Sequence, residues 1–239
     1  MNERFINFVG PCAAETESQI MGAAEIVAKH GEKGFRVGLW KPRTSPGFEG
    51  VGSMGIPWLK NVTKLGLTVA AEAMLPDHVD QLTNITNCDQ KLVIWIGSRN
   101  QNHLIQKEIA ARIIQSGHQK TFLMIKNQPW LDEKHWLGIV DHVLATGFPS
   151  NRLFICHRGF APSIQENPHS FRNIPSFEMA MKIKEKTQMP MLIDPSHIGG
   201  SIENVFLATE LALNFNFDGF LLEFHPNSNE AKTDQKQQL

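Results

Sequence analysis

Short apolar runs alternate along this chain with longer stretches in which apolar residues recur at helical spacing. The apolar runs fall at residues 5–9, 35–40, 67–71, 92–96, 121–125, 153–156, 191–193 and 219–224. Between them lie amphipathic stretches near 17–30, 55–65, 76–84, 101–117, 131–146, 173–187 and 201–214. Strands alternating with helices predict repeated βα units and a parallel sheet. Eight strands and seven helices in 239 residues fit a TIM (β/α)8 barrel better than an open doubly wound sheet. No G-x-G-x-x-G follows the first strand, which also weighs against a dinucleotide-binding domain. The expectation is one barrel domain over residues 1–239, with the eighth helix short or absent. An unfinished barrel would leave an apolar outer face beside strands one and eight, to be covered by a neighbouring subunit.

Composition narrows the class without fixing it. A formal net charge of −1 offers no global basic field, so nucleic acid is not an expected partner. Cys12, Cys88 and Cys156 are widely spaced and form no CxxC pair, which argues for a reducing compartment rather than a disulfide framework. No apolar run approaches the length of a membrane span, and the first residues lack a cleavable-leader pattern. The expected location is cytoplasmic.

The chemistry collects where the strands end. Arg36-Val-Gly-Leu-Trp-Lys41-Pro-Arg43-Thr44-Ser45-Pro46 is an apolar run that breaks at once into cations, hydroxyls and prolines. The prolines stiffen the loop, and fixed Arg and Lys beside hydroxyls suit a phosphate. Alone, such a segment reads as a solvated basic loop. Most other strand ends, however, finish in the same way: Gly10-Pro-Cys12, Glu72, Gly97-Ser-Arg99, Lys126-Asn127, Cys156-His-Arg158, Asp194-Pro-Ser-His197 and Glu223-Phe-His225. In a barrel these ends converge on one mouth. Arg36, Lys41, Arg43, Arg99, Lys126 and Arg158 would repel one another there unless anions neutralise them, so the mouth is expected to take phosphorylated or carboxylated substrates. Cys12, His197, Glu223 and Asp234 form a mixed thiol, imidazole and carboxylate set suited to Mn, Fe, Co or Zn. Singly, each has a blander role: a buried small hydrophobe for Cys12, a solvated loop residue for His197. His225 lies on the same side of the last strand as Glu223, and Cys88 and Cys156 read as structural.

Taken together, Gly10-Pro-Cys12-Ala-Ala-Glu15, Lys41-Pro-Arg-Thr-Ser-Pro46, Ile96-Gly-Ser-Arg99, Lys126-Asn127, His157-Arg-Gly-Phe160 and Asp194-Pro-Ser-His-Ile-Gly-Gly200 resemble 3-deoxy-D-arabino-heptulosonate 7-phosphate (DAHP) synthases. The similarity runs from about residue 8 to residue 238 and is nearest to the small type I forms, including those fused to chorismate mutase. The resemblance implies a metal-dependent, aldol-like condensation of phosphoenolpyruvate with D-erythrose 4-phosphate, the first step of the shikimate pathway to aromatic amino acids. It implies Cys12, His197, Glu223 and Asp234 as ligands of a divalent metal. Arg36, Lys41, Arg99, Lys126 and Arg158 would hold phosphoenolpyruvate, and Arg43 and Thr44 the aldose phosphate. Lys41, Cys12 and His197 would be the catalytic set, Lys41 as a proton donor. A homo-oligomer is expected, as is a chorismate mutase partner or further domain; within this sequence no such domain is visible. Ala13 stands where many relatives have Ser, and the loop at 46–49 is one residue shorter than the family pattern. The nearest rival is 3-deoxy-manno-octulosonate 8-phosphate synthase, which takes arabinose 5-phosphate; KPRTSP argues for the shorter sugar. A non-catalytic phosphate-binding barrel subunit is the alternative of a different class.

Overall fold

The computed structural model describes residues 6–41, 46–162 and 166–239. Eight parallel strands, β1 (Phe8–Gly10), β2 (Gly34–Val37), β3 (Thr68–Glu72), β4 (Leu92–Ile96), β5 (Thr121–Lys126), β6 (Leu153–His157), β7 (Met191–Ile193) and β8 (Gly219–Glu223), close in sequence order. Closure pairs Phe8 with Leu221 and Gly10 with Glu223. The strand period of two divides the apolar residues between two cores. Val93 and Trp95 of β4 join Phe8, Ala70, Met124, Phe154 and Leu221 inside the barrel. Leu92, Ile94 and Ile96 face outward and pack with the helices. Apolar residues are needed on both faces because both are covered, so the runs read as continuous rather than alternating.

The helices are α1 (Glu17–Lys29), α2 (Ile56–Thr63), α3 (Pro76–Thr83), α4 (His103–Gln115), α5 (Glu133–Leu144), α6 (Phe177–Thr187), α7 (Pro195–Gly199) and α8 (Ile202–Ala212). Their starts follow local capping. Asn102 accepts from the Leu104 and Ile105 amides, which starts α4 two residues later than the periodicity suggests. The stretch expected to be helical from 173 begins only at Phe177, because Pro175 favours extended backbone at Ile174, which bridges to Phe160. β2 ends at Val37 rather than 40; Gly38 pairs with Ala13 and Trp40 with Gly50. α7 was not expected. Asp194 accepts from the His197 amide, Pro195 opens the turn, and Gly200 closes it at φ 78°.

No α-helix follows β8 among the described residues, which form short 3₁₀ turns at Ser228–Glu230 and Gln235–Gln237. The outward residues Val9 of β1 and Phe220 and Leu222 of β8 are apolar and only half-buried, unlike the wholly buried β4 and β6. No helix among the described residues is long and apolar enough to cross a membrane.

A candidate metal and anion site at the barrel mouth

Pairing of Gly10 with Glu223 brings the end of β1 beside the end of β8, and Cys12 follows two residues later. Asp234 arrives from the segment after β8 with a left-handed backbone, φ 47°. Cys12, Glu223 and Asp234 thereby present ligand atoms within 4.8 Å of one another. Cys12 Sγ lies 3.1 Å from Asp234 Oδ2 and 3.1 Å from Lys41 Nζ. His197 borders this trio from α7. Its Nδ1 is 2.8 Å from Asp194 Oδ2, and its Nε2 is 3.9 Å from Glu223 Oε1. A carboxylate beside one nitrogen leaves the other ring nitrogen to face a metal.

The electrostatics suit a cation. Burial, then Glu223, pushes the Cys12 thiol up to about 12, so it keeps its proton unless a positive charge joins it. Burial also acts to raise Glu223, but His197 and Arg36 outweigh it and bring the carboxyl down to about 2. Asp234 is lowered likewise, burial being opposed by His197 and Arg172. A thiol, two ionised carboxylates and an oriented imidazole form a donor set that fits a divalent metal of borderline softness.

Beside this cluster opens a small cavity lined by Arg36, Lys41, Glu72, Trp95, Ser98, Arg99, Lys126, Arg158 and His197. Its cations are held in place. Arg36 Nη1 donates to Glu223 Oε1 at 2.6 Å, and Lys126 Nζ to Asp194 Oδ2 at 2.6 Å. Both lie over the Trp95 ring, at 5.0 and 5.5 Å from its centroid. Arg158 donates through Nη1 to Asn173 Oδ1 and through its backbone to Asn127 Oδ1, each at 2.7 Å. Burial, with Arg172 and Arg99 nearby, pulls the Arg158 guanidinium down to about 10. Arg36 Nε and Ser98 Oγ are buried without hydrogen-bond partners among the described residues. Such orphan donors in a cation-lined hollow point to an anionic ligand.

The mouth thus collects Cys12, Arg36, Lys41, Arg99, Lys126, Arg158, His197, Glu223 and Asp234, whereas Arg43 and Thr44 lie outside the described residues. Sequence reasoning gave no role to Trp95, Asn173, Arg172 or Asp194. Asp194 stood at a strand end and preceded a proline, a capping signal. Trp95 carried none, since an apolar run does not say which side faces the barrel axis. Cys156 is buried and its thiol pushed up to about 12 by burial, as befits a structural residue, while Cys88 is exposed.

The whole chain, residues 1–239, matches the model of the DAHP synthetase I family. The phospho-2-dehydro-3-deoxyheptonate aldolase of Thermotoga maritima is 27% identical over 241 residues, covering 100% of this chain and 66% of its own. A solved structure of phospho-2-dehydro-3-deoxyheptonate aldolase (DAHP synthase) from Thermotoga maritima matches at a TM-score of 0.86 and 27% identity, covering 100% of this chain and 65% of that one. A 2-dehydro-3-deoxyphosphooctonate aldolase of Francisella tularensis subsp. novicida is 27% identical over 117 residues, 44% of this chain and 38% of its own. The chain spans just under two thirds of the length of the Thermotoga relatives.

Proposed function

The chain belongs to the DAHP synthetase I family, and on that footing we propose that it condenses phosphoenolpyruvate with D-erythrose 4-phosphate and water, releasing DAHP and phosphate. The observation that carries this reading is the thiol–carboxylate cluster standing against a set of Arg and Lys side chains in one mouth. Phosphoenolpyruvate brings a carboxylate and a phosphate, and Arg36, Lys41, Arg99, Lys126 and Arg158 would hold them. Cys12, His197, Glu223 and Asp234 would hold a divalent metal, Mn, Fe, Co or Zn. When bound, that metal supplies Lewis acidity to the aldehyde of the second substrate.

Lys41 lies between the two halves of the site. Burial acts to lower its pKa, but Cys12 and Glu223 keep it above the ordinary lysine value. It therefore enters the reaction as an ammonium and would give a proton to the aldehyde oxygen as C3 of phosphoenolpyruvate attacks. Water adds at C2, and phosphate leaves with the C2–O bond. Arg43 and Thr44 would take the aldose phosphate. In this reading the chain works as a homo-oligomer at the head of the shikimate pathway, alone or beside a chorismate mutase.

The partial likeness to a phosphooctonate aldolase favours one second reading, arabinose 5-phosphate as the acceptor. Phosphate release from phosphoenolpyruvate separates the two when each aldose is offered with and without a chelator. The expected result is release with erythrose 4-phosphate, little with arabinose 5-phosphate, loss on chelation and recovery with a divalent metal. Faster release with arabinose 5-phosphate would replace the proposed acceptor. Undiminished activity in chelator would remove the metal.

A further inference from the structure

After β8 the chain turns back into the mouth. The Leu239 amide donates to the Glu223 carbonyl at 2.9 Å, and the His225 amide to the Leu239 carbonyl at 3.1 Å. Between these contacts Gln237 and Gln238 are 1% and 0% exposed. The polar run Gln235-Lys-Gln-Gln would ordinarily be solvated, and burying two amides costs free energy unless their groups are paired. Here the partners belong to the candidate metal cluster. Gln237 Nε2 donates to Glu223 Oε2 at 2.6 Å, while its Oε1 accepts from Arg172 Nη1 at 2.6 Å. The same Nη1 donates to Asp234 Oδ1 at 2.7 Å. Gln238 Oε1 accepts from the Cys12 amide at 2.9 Å, and its Nε2 donates to the Thr233 carbonyl at 2.8 Å.

We infer that Gln237 and Gln238 are positioning residues that set the geometry of the metal cluster, so that docking of this segment and binding of the cation are one coupled equilibrium. The inference rests on the metal reading above. Glu223 is held from both sides, Oε1 by Arg36 and Oε2 by Gln237, which fixes the plane of its carboxylate. Asp234 has its outer oxygen tied to Arg172, leaving Oδ2 toward Cys12. Gln238 fixes the backbone from which the Cys12 thiol projects. Neutral amides suit this task, because a donor steadies a carboxylate without cancelling the charge a cation needs, whereas another carboxylate would add repulsion.

The test uses the full chain and zinc alone, titrated against a chromophoric chelator, with melting temperatures recorded with and without metal. Gln237→Met keeps the volume and removes both hydrogen bonds. It is expected to weaken zinc binding about tenfold or more, the range found for groups that orient metal ligands. Its metal-free melting temperature should stay near wild type, and the gain on adding zinc should shrink. Gln238→Met gives a second reading should Gln237→Met fold poorly, and cobalt substitution adds a signature, since a displaced Cys12 weakens the thiolate-to-metal absorption band. A wild-type chain without saturable zinc or cobalt binding would overturn the metal site itself. Wild-type binding with both variants inside twofold of it would overturn only the positioning role, as would a lowered metal-free melting temperature at unchanged affinity.

Discussion

Lys41 is the residue on which the two halves of the site meet, 3.1 Å from the Cys12 sulfur and on the wall of the cationic cavity. A role in proton delivery and a role in holding phosphoenolpyruvate make different forecasts. Under the proposed function four other cations would share the anion, so Lys41→Met should lose turnover by about a hundredfold or more, the lower end for removing an acid–base group, with a smaller loss of phosphoenolpyruvate affinity. Single-turnover kinetics with a separate binding titration measure both, and an unchanged turnover number removes Lys41 from the chemistry. His157 illustrates the opposite fate for a polar strand end. Its ring lies among Trp136, Phe160 and Phe177, and Nε2 accepts from the Ser176 amide at 3.1 Å. Burial, then Arg158, pushes its pKa down to about 3. The unfolded chain takes up this proton near pH 6.5 and the folded chain does not, so His157 makes stability fall as pH drops from about 6.5 toward 3. The slope is at most about 1.4 kcal/mol per pH unit. Imidazole NMR of the folded protein should show no protonation of His157 above pH 4; a midpoint near 6 would contradict its neutral burial.

At the level of strands and helices, the chain entering β1 is tightly packed where the barrel closes between β8 and β2. A Cβ at Gly34 would fall onto the Asn7 carbonyl oxygen and within 2.6 Å of the Phe8 ring, and one at Gly219 onto the Ile6 carbonyl. Gly34→Ala should therefore cost roughly 1–3 kcal/mol, as overpacked sites do. Gly22→Ala, inside α1 with nothing within 4 Å, should gain up to about 1 kcal/mol from helix propensity. Urea denaturation of the pair reads both signs, and a neutral Gly34→Ala would show that β1 can shift. The strands were legible because each apolar run is bounded by turn residues and, outside β1 and β8, is covered on both faces. Helix starts were less so: Asn102 and Pro175 set them through local bonding and backbone restriction that periodicity does not register. α7 is too short to have a period, though Asp194, Pro195 and Gly200 mark its two ends. The candidate metal positions could be read as a set of residue types, but their contacts could not. The Arg172–Gln237–Glu223 chain joins residues brought together only by closure, and polar Gln237 and Gln238 carry no sign of burial.

Over the whole molecule, charge is close to balanced while its distribution is not. The formal net charge is −1, yet the mouth gathers Arg36, Lys41, Arg99, Lys126 and Arg158. Arg36 and Lys126 have carboxylate partners at 2.6 Å, whereas Arg158 donates to neutral Asn173 and stands near two other guanidinium groups as well as Asp194. Burial disfavours the charge on Arg158, and an anion entering beside it offsets that cost, so ligand binding should appear as global stability. At a hundred times its dissociation constant a ligand adds about 2.7 kcal/mol to the folded state. For a chain of this size that is a rise of roughly 5–10 °C in melting temperature. Phosphoenolpyruvate should produce such a shift in differential scanning calorimetry, inorganic phosphate a smaller one, and Arg158→Gln should reduce both. Added salt should weaken the shift in part, because Arg36 and Lys126 are buried and poorly screened whereas Arg99 is exposed. No shift at millimolar phosphoenolpyruvate would mean that these cations serve the barrel's own carboxylates and that the mouth is not an anion site.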